Sequence, residues 1–208
     1  MAINSFDEKA ATWDDDPAKV ERAEKVGLAI REAVPLDTSM RMLEYGAGTG
    51  LVTQALRDVV GPVTMADTSA GMRQVMKDKI TAGAITHARV WDLDLAAEPV
   101  PDERFDLIVT VMTLHHIPSL EPVLSSFAGI LAEGGHLCVV DLEEEDGSFH
   151  GDDFDGHHGF NQSALASCLD AAGFTDVTFR RCHQVVRAGT TYPLFLAICV
   201  RRAGNHTS

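Results

Sequence analysis

Short strand-like runs alternate along the chain with longer segments of helical spacing. The short runs lie near residues 40–45, 63–67, 87–91, 105–111 and 136–141. Apolar residues three and four positions apart mark the segments between them, near 49–60, 69–82, 119–131 and 161–172. This alternation is typical of a parallel sheet with helices on both faces. The sequence therefore predicts an α/β fold.

The two ends of the chain depart from this alternation. Asp16-Pro17 is typical of a helix start, and helical spacing continues from there to Pro35. Two β-rich runs near the end, 176–187 and 192–201, are joined by a short turn and predict an antiparallel hairpin. We expect a single domain over 1–208, which divides into a helical leader (1–35), an α/β core (36–201) and a polar tail (202–208).

Helix boundaries are indicated by capping residues. Three side chains stand where an N-cap is expected: Ser69, Ser119 and Asn161. Gly134-Gly135 and Gly173 stand where left-handed C-caps are expected.

A glycine turn follows the first strand-like run of the core. Gly46, Gly48 and Gly50 come at alternate positions, just after the acid Glu44 and just before a helical segment. Glycine permits positive φ and has no Cβ, so a ligand can lie against bare backbone. The dinucleotide pattern G-x-G-x-x-G fails, because its third glycine would fall on Leu51 or Thr53. A nicotinamide-dependent reductase is therefore the less favoured interpretation.

An acid ends the second strand-like run as well. Asp67 lies roughly twenty residues beyond the first glycines, where a ribose-binding carboxylate is expected. The two oxygens of a carboxylate can accept hydrogen bonds from both ribose hydroxyls. A third run ends at Asp92-Leu93.

With these elements, the chain resembles the class I S-adenosylmethionine-dependent methyltransferases, in particular the ubiquinone-biosynthesis-like group. The G-x-G-x-G turn resembles their motif I, and residues 105–117, with F-D-L-I-V followed by L-H-H-I, resemble their motif IV region. The resemblance covers roughly residues 5–200. It implies a Rossmann-like, seven-stranded, mostly parallel sheet with a C-terminal antiparallel hairpin, S-adenosylmethionine as cofactor and S-adenosylhomocysteine as product.

The resemblance also implies roles for individual residues. The glycine turn would approach the methionine tail and ribose, Asp67 would take the ribose hydroxyls, and Asp92 with the residue after it would meet the adenine. The implied cofactor-binding residues are Tyr45, Gly46, Ala47, Gly48, Asp67, Thr68, Asp92, Leu93 and Met112. Tyr45 and Met112 would flank the sulfonium. The alternative for Tyr45 is a place in the core.

The leader resembles the segment that forms a lid in this group. Its F-D-x-x-A-x-x-W-D string would place Phe6 and Trp13 in the acceptor pocket. The alternative is that Trp13 simply packs the leader against the core.

Histidines are the candidate bases, because an imidazole titrates near pH ~6.5 and can take a proton from an acceptor. The candidates are His116, His115, His157 and His158. The last two lie in the acid-rich stretch 141–160, which has three open interpretations. It is a solvated acidic loop, a wall of the acceptor pocket, or a metal site built from His150, His157 and His158 with Asp141 or Glu143. We expect no metal as the simplest case.

Composition narrows the choice of substrate. The net charge of −14 disfavours a nucleic-acid substrate, and no apolar run reaches the length of a membrane span. The first residues lack the layout of a signal peptide, and the four scattered cysteines indicate small core residues in a reducing compartment. We expect a cytoplasmic monomer or homodimer that methylates a small-molecule acceptor. The alternative is a protein that binds S-adenosylmethionine without transfer activity.

Overall fold

The computed structural model describes residues 6–151 and 154–204. Contacts within the chain divide it into two compact units, residues 1–94 and 95–208. Residues 1–5 of the predicted leader and 205–208 of the predicted tail lie outside the described residues.

The first unit is a three-stranded parallel layer with its helices. A 3-10 helix, Ala10–Asp15, precedes the regular elements. These are α1 (Pro17–Ala33), β1 (Met42–Tyr45), α2 (Leu51–Leu56), β2 (Val63–Ala66), α3 (Ala70–Thr81) and β3 (Ala88–Trp91). The strands are ordered β3-β2-β1, and every residue of β1 and β2 is buried. Continuous burial is typical of a parallel sheet covered on both faces.

The second unit carries the mixed part of the sheet. Its elements are β4 (Phe105–Val111), a 3-10 turn (Leu114–His116), α4 (Leu120–Ile130), β5 (Leu131–Leu142), α5 (Gln162–Ala171), β6 (Phe174–Arg187) and β7 (Thr190–Arg201). β4 and β5 are parallel, whereas β7 pairs antiparallel with both β5 and β6.

The predicted fold class is confirmed. The strands described in the two units are those of a seven-stranded, mostly parallel sheet with an antiparallel C-terminal hairpin, accompanied by helices. The hairpin turn is tighter than predicted, because β6 ends at Arg187 and β7 begins at Thr190. Ala188 and Gly189 form this turn with φ of 50° and 84°. A two-residue turn with both φ values positive matches the twist of the strands it joins.

Two of the three predicted N-cap side chains make capping hydrogen bonds. The side chain of Ser69 accepts from the Met72 N–H, and Asn161 accepts from the N–H groups of Ser163 and Ala164. Ser119 is the N-cap residue of α4 as predicted, but its side chain makes no capping hydrogen bond.

The glycine C-cap prediction is wrong for Gly134-Gly135. α4 already ends at Ile130, and both glycines lie inside β5. Leu131 pairs with Phe105 of β4, so the chain has entered a strand before the glycines are reached. Gly134 still takes the expected left-handed conformation, with φ of 73°, where the register between β4 and β5 shifts. Gly173 does follow α5 in the expected left-handed conformation, with φ of 99°.

The cysteines are all free thiols, and two of them are buried core residues as expected. Cys168 departs from the prediction because it is exposed: α5 buries Leu165 and Leu169 instead. In the part of the chain that the structure describes, no helix has the length and apolar character needed to cross a membrane.

Candidate functional site

The glycine turn of the first unit adopts the conformation that its sequence predicts. Gly46, Gly48 and Gly50 have φ of 70°, 56° and 78°, all in the left-handed region that favours glycine. A Cβ on Gly50 would lie 2.9 Å from the Met65 sulfur, whereas one on Gly48 would meet nothing within 4 Å. Gly50 therefore serves packing, and Gly48 presents open backbone that a ligand can approach.

Glu44 anchors the helix that follows this turn. The N-cap of α2 is Gly50, which has no side chain to accept a hydrogen bond. Glu44 supplies the acceptor instead, because its Oε2 receives the Thr53 N–H at 2.9 Å and also the Thr53 hydroxyl. Burial raises the pKa of Glu44 to about 7, against the lowering effect of these hydrogen bonds.

The Asp67 carboxylate organises the loop between β2 and α3. One oxygen accepts from the Gly48 N–H at 2.8 Å, and the other accepts from the Ser69 N–H at 2.8 Å. Burial raises the pKa of Asp67, while the two N–H donors act in the opposite direction. The carboxylate therefore connects the glycine turn to the loop between β2 and α3. A cofactor site formed by both segments requires such a connection.

Arg73 links the two acids that the resemblance assigns to the cofactor. Its Nη1 donates to the Asp67 carbonyl oxygen at 2.8 Å, and its Nη2 lies 2.8 Å from Asp92 Oδ2. Arg73 is not among the site residues predicted from sequence. Its signal is weak, because an arginine on a helix is usually solvated, and only the fold brings it to Asp92.

The other cofactor-binding candidates of the first unit differ in exposure. Tyr45, Ala47 and Leu93 are buried, with 4%, 7% and 2% of their surface exposed, whereas Thr68 is exposed. The three buried residues can contribute backbone atoms and apolar surface to a cofactor site. Thr68 can contribute its hydroxyl group.

The leader is fastened to the glycine turn and to α3 by two aspartates. Asp7 Oδ1 accepts from the Ser69 hydroxyl at 2.6 Å and from the Gly71 N–H at 2.9 Å. Asp14 accepts from the Thr49 hydroxyl at 2.5 Å, and its other oxygen lies 2.5 Å from Lys79 Nζ. These bonds hold the leader beside the predicted cofactor residues.

Phe6 and Trp13, the predicted acceptor-pocket residues, contact each other in this leader. Their rings meet edge to face with centroids 6.1 Å apart, and Lys19 Nζ lies 4.1 Å from the centre of the Trp13 ring. Trp13 remains half-buried. Its role in an acceptor pocket stays a prediction.

In the second unit, Met112 follows β4 with a φ of 54°. Its N–H donates to the Val140 carbonyl at 2.8 Å. A left-handed conformation costs a residue with a side chain about 1–2 kcal/mol. Such strain is commonly found at functional positions. The cofactor role of Met112 stays a prediction.

His115 is a buried histidine oriented by a buried carboxylate. Its Nδ1 lies 2.6 Å from Asp141 Oδ1, and the two side chains are 1% and 0% exposed. The two side chains meet because His115 follows β4 and Asp141 lies near the end of β5, which is the parallel neighbour of β4. Asp141 also accepts from the N–H groups of His115 and Leu142. The Asp141 carboxylate selects the tautomer in which the other ring nitrogen, Nε2, is the acceptor.

His116 and His150 lie against His115. The ring centroids are 4.1 Å apart for His115 and His116, and His150 lies 5.1 Å from each. Burial lowers the pKa of His150 to about 4, so this ring is neutral at pH 7. Within residues 6–151 and 154–204, its Nε2 is buried without a hydrogen-bond partner. A buried polar group left unpaired costs about 1–3 kcal/mol.

The structure separates His157 and His158 from this group. His157 Nε2 lies 3.0 Å from the Ile117 carbonyl oxygen and donates to it, and its backbone N–H donates to the His115 carbonyl. His158 is exposed and lies 3.5 Å from Glu145. The metal-ligand set considered from sequence is therefore not the one brought together, since His150 joins His115 and His116 instead.

The chain belongs to the methyltransferase-domain family, whose sequence model matches residues 19–178. A curated relative is the ubiquinone/menaquinone biosynthesis C-methyltransferase UbiE of Stutzerimonas stutzeri. It is 31% identical over 108 residues, 50% of this chain and 42% of the relative. The chain thus spans less than half the length of the first curated relatives it matches.

Solved structures share the fold at low sequence identity. The N-methyltransferase NodS from Bradyrhizobium japonicum, in complex with S-adenosylhomocysteine, has a TM-score of 0.69 and 20% identity, covering 91% of this chain and 90% of its own. The [4+2]-cyclase SpnF has a TM-score of 0.71 and 17% identity, covering 87% and 81%. The predicted class, a class I S-adenosylmethionine-dependent methyltransferase domain, is confirmed by these comparisons, and S-adenosylmethionine is the cofactor of that class.

Proposed function

We propose that the protein methylates a small-molecule acceptor with S-adenosylmethionine as the methyl donor. The observation that carries the proposal is the Asp67 carboxylate, which bonds to the open backbone of Gly48 and to the loop before α3. When bound, the cofactor supplies an activated methyl group, which an acceptor takes from the sulfonium by in-line displacement.

The residues of the first unit fit the cofactor's chemistry. The open backbone at Gly48 suits close approach of the sugar and amino-acid tail, and Asp67 has two carboxylate oxygens for ribose hydroxyls. Arg73 holds Asp92 where the resemblance places the adenine. Tyr45 is a proposed neighbour of the sulfonium.

The protein's main contribution would be to position the acceptor. Orientation of two reactants can supply roughly 7–11 kcal/mol of a barrier in favourable cases. Phe6 and Trp13 are the proposed apolar contacts of the acceptor, on a leader that Asp7 and Asp14 hold in place.

A proton must leave if the acceptor is a hydroxyl, an amine or an acidic carbon. Among the four candidate bases, His116 fits best, because it is half-buried and follows directly the histidine that Asp141 orients. His115 is committed to Asp141, and His157 donates to the Ile117 carbonyl. His158 is exposed to solvent.

The acceptor is expected to be small and not a nucleic acid. The net charge of −14 would repel a polyphosphate backbone. The acids that follow Asp141, of which Glu144 and Asp146 are exposed, instead suit a neutral or cationic metabolite.

The test is an acceptor screen that measures S-adenosylhomocysteine release. Candidate phenols, amines, thiols and quinol precursors are incubated with the protein and S-adenosylmethionine. We expect release that depends on one acceptor class and that His116→Gln slows at least tenfold, without a change in cofactor affinity. Asp58→Ala, on an exposed surface, is the control.

A protein that uses the fold without transfer is the alternative, since the cyclase SpnF shares this fold. It predicts cofactor binding but no S-adenosylhomocysteine release with any acceptor. That result, obtained with folded protein that binds the cofactor, would contradict the proposed activity and leave the cofactor assignment intact.

A further inference from the structure

We propose that His115, His116 and His150 form a binding site for one divalent transition-metal ion, with Zn²⁺ as the best fit. Each histidine offers one ring nitrogen, and the three nitrogens lie within 4.8 Å of one another. Tetrahedral zinc with Zn–N bonds of about 2.0–2.1 Å requires ligand nitrogens roughly 3.3 Å apart. Small side-chain rotations would close this difference.

His115 already has the orientation of a metal ligand. Its Nδ1 is held 2.6 Å from a buried Asp141 oxygen, which leaves Nε2 as the ligand atom with its lone pair available. Histidines that bind zinc commonly donate their other N–H to a carboxylate in this way, and the carboxylate makes the ligand more basic. Asp141 is itself fixed by the N–H groups of His115 and Leu142.

His150 provides the independent observation. Its Nε2 is buried and has no hydrogen-bond partner within the described ranges 6–151 and 154–204. The His150 ring packs between two aromatic rings. It stacks on Phe154 with ring centroids 3.9 Å apart, and it meets Phe149 edge to face with centroids 4.8 Å apart. A buried nitrogen without a hydrogen-bond partner, beside two other imidazoles, is an arrangement that metal binding would satisfy.

The segment that carries His150 is tied in place on both sides. Glu145 Oε2 accepts from the N–H groups of Gly147 and Phe149, each at 3.0 Å. After His150, the Gly151 N–H donates to the Gly147 carbonyl at 3.0 Å. The approach of His150 to the other two histidines is therefore built into the backbone.

The donor set selects the kind of metal. Imidazoles suit Zn²⁺, Cu²⁺ and Ni²⁺, whereas Mg²⁺ and Ca²⁺ prefer oxygen ligands. Three protein ligands would leave a fourth position for water or an acceptor atom. Asp141 favours a bound cation, while the Arg187 guanidinium, 5.3 Å from the centre of the Phe149 ring, opposes it. This proposal does not depend on methyl transfer: a His116 that binds the metal cannot also take a proton through the same nitrogen, so it serves as the base only in the metal-free protein.

The experiment is a calorimetric titration of untagged, chelator-treated protein with Zn²⁺, without S-adenosylmethionine, followed by X-ray absorption spectroscopy of the loaded sample. We expect one equivalent with a micromolar or tighter Kd. The absorption spectrum should show nitrogen or oxygen ligands at about 2.0–2.1 Å with imidazole scattering. Mg²⁺ in excess should not compete.

Variants identify the ligands. His150→Gln and His116→Gln are each expected to weaken zinc binding at least 100-fold. Asp141→Asn, which changes the partner of His115, should weaken it 10–100-fold. His158→Gln is the matched control, because His158 lies in the same segment but outside the group. Circular dichroism checks that each variant is folded.

The proposal is overturned if the wild-type protein binds no zinc in the micromolar range. It is also overturned if His158→Gln weakens binding as much as His150→Gln, or if neither His150→Gln nor His116→Gln has an effect. Either of the last two results would mean that only adventitious surface sites were titrated.

Discussion

Replacing Glu44 with glutamine is expected to stabilise the protein at neutral and alkaline pH. Glu44 is 3% exposed and accepts two hydrogen bonds from Thr53. A glutamine has the same shape, and its amide oxygen can still accept from the Thr53 N–H. The substitution thus removes the buried charge and keeps the anchor of α2.

The magnitude follows from the pKa of Glu44, which burial raises from 4.5 to about 7. The folded state therefore binds this proton more tightly than the unfolded state does. The contribution of Glu44 to the free energy of unfolding is therefore greatest below pH 4.5. It decreases between pH 4.5 and 7 and is constant above pH 7. A pKa that is roughly 2.5 higher in the folded than in the unfolded state corresponds to about 3 kcal/mol of stability.

Urea denaturation of the wild type and Glu44→Gln at intervals between pH 4.5 and 8.5 measures this directly. The variant should match the wild type near pH 4.5 and exceed it by about 3 kcal/mol above pH 7.5. Glu24→Gln, on an exposed face of α1, controls for the loss of one negative charge. A stability difference for Glu44→Gln that does not change with pH, or that favours the wild type at high pH, would refute the reasoning.

Three further predictions concern stability, each measured by chemical denaturation. Asn161→Ala removes an N-cap whose side chain makes capping hydrogen bonds, and it should lower the free energy of unfolding by about 1 kcal/mol. Ser119→Ala should lower it much less, because the Ser119 side chain makes no capping bond. Equal losses would contradict this. Ala188→Asn should raise the free energy of unfolding by at most about 1 kcal/mol, because asparagine tolerates the φ of 50° at this turn better than alanine. A decrease in the free energy of unfolding would show that the asparagine side chain clashes. Phe127→Ala, at a fully buried position of α4, should cost about 3–5 kcal/mol, and a loss below 1 kcal/mol would show that the core refills the space.

The strand and helix pattern could be predicted from sequence because local signals agree with the fold. The glycine turn at 46–50 is one example, since each glycine takes the left-handed conformation that its sequence indicates. The Gly134-Gly135 prediction failed because pairing with β4 outweighed the local helix-ending signal. Ser119 stands at an N-cap position, yet position alone does not establish that its hydroxyl is used.

The site was predictable only in part. Asp67 was identified because spacing along the chain places it beside the glycine turn, and it does bond to Gly48. The pairing of His115 with Asp141 could have been inferred from two neighbouring parallel strands whose carboxyl ends share an edge. Arg73 and His150 could not, because their contacts depend on the reach of a side chain and on the path of a loop.

The central claim is that the glycine turn and Asp67 bind S-adenosylmethionine. Calorimetric titration with S-adenosylhomocysteine tests it most directly, with NAD as a control ligand and with Asp67→Ala and Asp58→Ala as paired variants. We predict micromolar binding by the wild type and by Asp58→Ala, at least a tenfold loss in Asp67→Ala, and no binding of NAD. Absence of S-adenosylhomocysteine binding by folded wild-type protein, or equal binding by Asp67→Ala, would contradict the cofactor site described here.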